Sequence, residues 1–170
     1  MDIRNDIAKG LICFYPIYKD GDNTGLVFKD GSRSIKYAQV RCYLKSLAYY
    51  YNTDLKSLSK HVAQRLGQSY SNPIPISGQV WVPYYVRTPK IKGDTCTGYF
   101  ALSCIDKLRP AGSKVLLMMH PNFTIKINNS LSTANRRLNN ARLLEKDLNN
   151  GNELEHFKAF LENVLSLLKK

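Results

Sequence analysis

The densest run of Arg and Asn in the chain places Asn135, Arg136, Arg137, Asn139, Asn140 and Arg142 within eight consecutive positions. Guanidinium and carboxamide groups hydrogen-bond both phosphate oxygens and base edges, and Arg suits the negative potential of a narrow A·T-rich minor groove. A second cationic piece, Arg87, Lys90 and Lys92, lies between two strand-like runs. It reads as a hairpin tip able to enter a groove or lie on phosphates. Taken singly, Arg136, Arg137, Arg142 and Lys146 are what an ordinary solvated helix face carries. Beside the rest of the chain's positive charge, they point to a polyanionic partner.

That charge is large and located. The 170 residues hold 25 Lys and Arg against 13 Asp and Glu, a net +12. Residues 1–20 cancel, with Arg4, Lys9 and Lys19 against Asp2, Asp6 and Asp20, and residues 151–170 cancel likewise. The whole excess therefore falls in residues 21–150, the folded middle and not a tail. The chain opens on charged residues without a secretory apolar run, and its longest strongly apolar run, residues 115–119, is too short to span a bilayer. The expectation is a cytoplasmic protein with no membrane association.

Catalytic constellations fail one by one. No phosphate-binding Gly-rich loop, dinucleotide fingerprint or H-E-x-x-H helix is present. Ser57 and Lys60 fit S-x-x-K, but no K-T-G follows, so the match reads as chance. The acids are too scattered to hold the ions of a metal nuclease. Cys13, Cys42, Cys96 and Cys104 form no C-x-x-C, and His61, His120 and His156 complete no zinc pattern. Reduced, mostly buried thiols are expected, with no metal, no cofactor and no enzymatic activity.

The strand before the basic tip raises an alternative. Trp81, Tyr84 and Tyr85 beside cations would serve a single-stranded DNA or RNA module as a stacking platform. Apolar residues occupy both parities of residues 80–86, however, so both faces of that strand read as covered and core burial is favoured.

The elements that must position these groups read as an α+β fold, mainly antiparallel sheet with a mid-chain helix and two C-terminal helices, in one domain over residues 1–170. Residues 11–18 are aromatic and β-branched. Asp30-Gly31 marks a hairpin of type I′ whose second strand runs over residues 32–40. A helix capped by Asn52 or Thr53 carries Leu55, Leu58, Val62 and Leu66 and stops at Gly67, with His61 on its solvated edge. Residues 69–76 are too rich in Pro for regular structure. Residues 95–105 form a strand with Gly98 as a bulge or close approach, and residues 115–119 pair with 123–127. One helix runs from Ser132 or Thr133 to about Leu148 with Ala134, Leu138, Ala141, Leu144 and Leu148 on a stripe. Asn149-Asn150-Gly151 breaks it, and Asn152 caps an amphipathic last helix over residues 152–170, with Leu154, Phe157, Leu161, Leu165 and Leu168 on one face.

Arg41-Cys42 with Ser46 and Tyr49, the Pro-rich loop, then Val80-Trp81-Val82-Pro83, Thr88, Cys96 and Tyr99, followed by residues 123–128 and 130–144, together resemble the ComK family of competence transcription factors. The likeness covers most of the chain from about residue 10, as a loose pattern without a long identical run. It implies a sequence-specific double-stranded DNA binder that activates the genes of DNA uptake. It further implies recognition of paired A·T-rich boxes, largely through the minor groove, by cooperating dimers. Members of the family are delivered by an adaptor to a Clp-type protease, but this chain has no clear match to the F-x-L-Y-P-like adaptor motif.

Overall fold

The aromatic and β-branched residues at the start of the chain build a hairpin of β1 (Leu11–Tyr18) and β2 (Asp22–Phe28), with Phe14 opposite Leu26 and Tyr15 opposite Gly25. The structure, a computed structural model, describes residues 3–168 and the side chains of residues 3–151. β3 (Arg33–Lys36) pairs with β2 across the expected Asp30-Gly31 hairpin. The loop differs from type I′: the Phe28 N–H donates to the Ser32 carbonyl at 3.0 Å, and within the loop Gly31 takes a positive φ of 80°. A three-residue loop needs left-handed geometry only at its last position. The Asp30 carboxylate accepts from the Ser32 hydroxyl and N–H, which holds its pKa below the usual value.

The strand expected over residues 32–40 ends at Lys36, and Val40 opens a helix, α2 (Val40–Tyr50). Val40, Tyr43, Leu44, Leu47 and Ala48 are its buried residues, at the i, i+3, i+4, i+7, i+8 spacing of a core-facing helix. The short helix α1 (Ile3–Ala8) packs against it. Buried Asp6 of α1 accepts from the Tyr43 hydroxyl at 3.1 Å and pairs with Lys36 at 2.9 Å. Burial, then the Asp6 charge, pushes the Tyr43 phenol far above its ordinary pKa. Helix α3 (Leu55–Leu66) forms as expected and stops at Gly67 with φ 64°, but Asp54 is its N-cap, accepting from the Lys56 N–H at 2.9 Å.

Three further strands complete a six-stranded antiparallel sheet in the order β3-β2-β1-β6-β5-β4: β4 (Ile74–Ile76), β5 (Gln79–Tyr85) and β6 (Thr97–Ala101). β4 corrects the expectation of an irregular Pro-rich loop. At a sheet edge Pro75 needs no ladder N–H, so it is tolerated there. At Gly98 a Cβ would stand 2.7 Å from the Tyr15 Cβ, the close approach expected of it. The strand expected over residues 95–105 is divided. A 3-10 turn at Leu102–Cys104 leads the chain out of the large sheet, and β7 (Ile105–Ala111) begins a three-stranded meander with β8 (Lys114–Met119) and β9 (Phe123–Ile127).

The large sheet is apolar on both faces. On one, Phe14, Leu26, Phe28 and Trp81 meet Val40, Tyr43 and Leu47 of α2. On the other, Val27, Val80, Val82, Tyr84 and Phe100 meet Val115, Leu117 and Ile127 of the small sheet and Ala134, Leu138 and Ala141 of the last helix, α4 (Leu131–Leu168). Each such side chain removed from water contributes about 1.5–3 kcal/mol, so the sheet is pinned from both sides. The break expected at residues 149–151 does not occur: α4 is one continuous helix of 38 residues. A single Gly in a helix costs only about 1 kcal/mol against Ala; Asn149, Asn150 and Asn152 beside it are weak helix formers too, but the Leu, Glu and Lys residues beyond them on both sides are strong ones. The apolar stripe expected at Leu154 to Leu168 and the terminal Lys169 and Lys170 lie outside the residues whose side chains are described.

Candidate nucleic-acid interface

The first turns of α4 sort the six Arg and Asn candidates by helix face. Ala134, Leu138, Ala141 and Leu144 are buried, which leaves Asn135, Asn139, Arg142 and Lys146 exposed at i, i+4, i+7 and i+11. Over about 1.5 Å of rise per residue this ridge extends roughly 16 Å. Arg136 is exposed beside it and Asn140 is half-buried. The helix begins at a Ser130 cap, whose hydroxyl oxygen accepts from the Thr133 N–H at 3.2 Å.

Arg137 belongs elsewhere. It is 5% exposed, its Nη1 donates to the Pro83 carbonyl at 2.8 Å, and its guanidinium lies 4.7 Å from the Tyr85 ring centroid. The cause is the shortness of β4, which pairs only with residues 79–81 of β5. Beyond it the outer edge of β5 is covered by the approach to α4. The Asn129 side chain accepts from the Tyr85 N–H at 2.8 Å, the Asn128 N–H donates to the Tyr85 carbonyl at 2.6 Å, and Arg137 serves Pro83. Buried carbonyls left unpaired are costly, so Arg137 acts as a replacement strand neighbour and leaves the candidate contact surface. On the same side Tyr84 donates to the Ala134 carbonyl at 3.1 Å, and burial pushes its pKa far up despite Arg137 and Arg142.

The basic loop, residues 86–96, is built from within. Arg87 pairs with Asp22, donates Nε to the Thr95 carbonyl at 2.7 Å and stacks 3.9 Å from the Tyr18 ring centroid. Its side chain is 13% exposed, so Arg87 anchors the loop and is not its free tip. Asp94 accepts the N–H groups of Lys90 and Ile91 at 2.8 and 3.0 Å, and the Lys90 ammonium lies 4.3 Å from the Tyr18 ring centroid. What projects is Lys90, Ile91 and Lys92, all exposed, with Ile91 at 71%. Sequence reasoning passed over Ile91, Tyr18, Asp22 and Asp94. The aspartates stand far away in sequence or look like turn formers, and only the fold shows them as the loop's supports.

The aromatic strand offers no platform. Trp81 is 5% exposed and Tyr84 is fully buried. Tyr85 is half-open, but its ring carries Arg137 and its hydroxyl bonds Ser71 at 3.2 Å, an interaction that lowers its pKa. Among the described residues no three His, Cys, Asp or Glu side chains gather as a metal site. All four cysteines are free, but against the expectation of mostly buried thiols only Cys13 is buried, its thiol pushed up in pKa by desolvation; Cys96 and Cys104 are half-buried and Cys42 is exposed on α2. Among the described residues no helix is long and apolar enough to cross a membrane. No family model, curated protein or solved structure matches this chain.

Proposed function

We propose that the protein is a sequence-specific double-stranded DNA-binding transcriptional activator of the ComK kind, acting on competence genes and reading A·T-rich boxes mainly through the minor groove. The observation that carries this reading is the exposed ridge of Asn135, Asn139, Arg142 and Lys146 with Arg136 beside it. It presents amide and guanidinium donors along one rigid face. Lys90 and Lys92, on a loop braced by Asp22, Asp94 and Tyr18, supply a second contact whose backbone is held by the chain's own hydrogen bonds. A preorganised contact costs less to bind with than a mobile one. In this reading the protein works in the cytoplasm, binds as a homo-oligomer on paired boxes, and needs neither metal nor cofactor. A protease adaptor is a further partner by resemblance alone.

The single-strand alternative loses its main support with the burial of Trp81. Tryptophan emission distinguishes the two: oligonucleotide should leave a blue-shifted Trp81 signal unchanged, whereas strong quenching on single strands would favour the alternative. The test of the leading reading is competition. A small A·T-specific minor-groove ligand should displace the protein from an A·T-rich duplex, and failure to displace it at saturation would remove the minor groove from the account.

A further inference from the structure

The outward face of the small sheet is a cationic surface that neither the helix ridge nor the basic loop includes. Antiparallel pairing sets its rows. Lys107 stands opposite Met118, and Met118 opposite Thr124; Arg109 stands opposite Leu116, and Leu116 opposite Lys126; Ala111 stands opposite Lys114. Residues directly opposite in such a ladder share a face. The alternate residues Val115, Leu117, Met119, Phe123 and Ile127 are buried in the core. The face bearing Lys107, Arg109, Lys114 and Lys126 is therefore locked outward, because a slip of one residue would expose the core set.

The face is one-signed. Its four cations are all exposed, and the positions among them are Ala111, Leu116, Met118 and Thr124. Asp106 is paired to Lys107 at 3.7 Å, both about half-exposed, a contact worth little. Among the described residues no carboxylate lies within ion-pair distance of Arg109, Lys114 or Lys126. Arg109 and Lys126 stand about 9.6 Å from each other, on either side of Leu116, and Lys107 and Arg109 are about 6.8 Å apart along β7. Like charges gathered this closely oppose folding, and a merely soluble face mixes the two signs. The complement of such a surface is a closely spaced row of anions. Duplex DNA presents one negative charge per about 1.7 Å of axis.

We propose that this β7–β8–β9 face is a second, sequence-independent docking surface for the phosphate backbone of duplex DNA, with Lys107, Arg109, Lys114 and Lys126 as its contacts. This rests on the DNA-binding reading. The face holds few base-reading groups, so it adds affinity and salt dependence while the α4 ridge and the loop set preference.

The experiment is a fluorescence-anisotropy titration of an A·T-rich duplex across a salt series, with the parent chain and the double variant Arg109→Gln, Lys126→Gln. The slope of log K against log salt should fall by roughly 1.8, at about 0.9 per lost phosphate contact, and affinity on the order of tenfold per cation at about 0.1 M salt. The A·T over G·C preference should be retained. The pair Lys107→Gln, Lys114→Gln gives an independent reading, and the charge-keeping Arg109→Lys, Lys126→Arg variant should restore most of the slope. A parent that binds no duplex at any salt overturns the proposed function and this inference together. A parent that binds, with both Gln pairs folded and matching it in slope and affinity, overturns this inference alone. Loss of binding to vesicles containing about one-third phosphatidylserine, with duplex binding unchanged, would assign the face to membrane instead and equally overturn it.

Discussion

The β5–β6 loop and the first turns of α4 are built on one plan. Each turns a single arginine inward onto a backbone carbonyl and a tyrosine ring, Arg87 on Thr95 and Tyr18, Arg137 on Pro83 and Tyr85. Each leaves neighbouring polar groups outward, Lys90 and Lys92 in the loop and Arg136 and Arg142 on the helix. They differ in the counter-charge. Arg87 has Asp22 at its side, whereas among the described residues no carboxylate pairs with Arg137. The loop is therefore an anchored pair with a cationic tip. The helix retains a buried positive charge held by a carbonyl and a ring. Charge in a sequence is thus of two kinds, that which braces the scaffold and that which remains for a partner.

The largest effect should come from removing the counter-charge. Asp22→Ala strands Arg87, and breaking a buried pair costs about 3–5 kcal/mol. For a chain this size the thermal midpoint should drop by roughly 10 °C. A change below a degree in calorimetry would contradict the anchor role. Arg137→Leu comes next, at about 1–3 kcal/mol for the orphaned Pro83 carbonyl, less than Asp22→Ala because no opposite charge is abandoned. Reversal of that order under urea denaturation would break the comparison.

Arg136→Ala should leave stability within about 0.5 kcal/mol while weakening duplex binding. If it destabilised as much as Arg137→Leu, the division between bracing and presenting arginines would be wrong. The smallest effect belongs to an exposed acid. Asp54, held below the ordinary carboxylate pKa by the Ser57 hydroxyl and then the Lys56 N–H, caps α3. Its folded pKa is depressed. Its contribution is therefore present above the unfolded value of about 3.9 and lost as pH falls through the folded one. An Asp54→Ala variant should lack that acid-side step in stability, and a profile identical to the parent's would remove the cap from the account.

Much of the fold was legible where local signals were sufficient. The α3 stripe with its Gly67 stop and the covered strand at Trp81 stand as their residues indicated, and the Asp30-Gly31 hairpin forms, though with a three-residue loop in place of type I′ and a shorter second strand. Helix α2 was missed: the expected strand extends to residue 40 and no element is assigned to residues 41–51, although Val40, Tyr43, Leu44, Leu47 and Ala48 carry helical spacing. The inward turn of Arg137 was also in reach: it stands three residues after Ala134 and four before Ala141, on the buried stripe's flank. Its charge masked its position. Arg87 gave no such clue, since Asp22 stands 65 residues away. The cations of the small sheet were scattered over three strands, and only the register brings them to one face.

The central claim is that the exposed cationic and amide surfaces serve duplex DNA. Its most direct test is equilibrium binding of the full chain to A·T-rich and G·C-rich duplexes of equal length over a salt series. The account predicts tighter binding to the A·T duplex and log K falling linearly with log salt, by about 0.9 for each phosphate neutralised. Equal affinity for the two duplexes, or an affinity indifferent to salt, would contradict it.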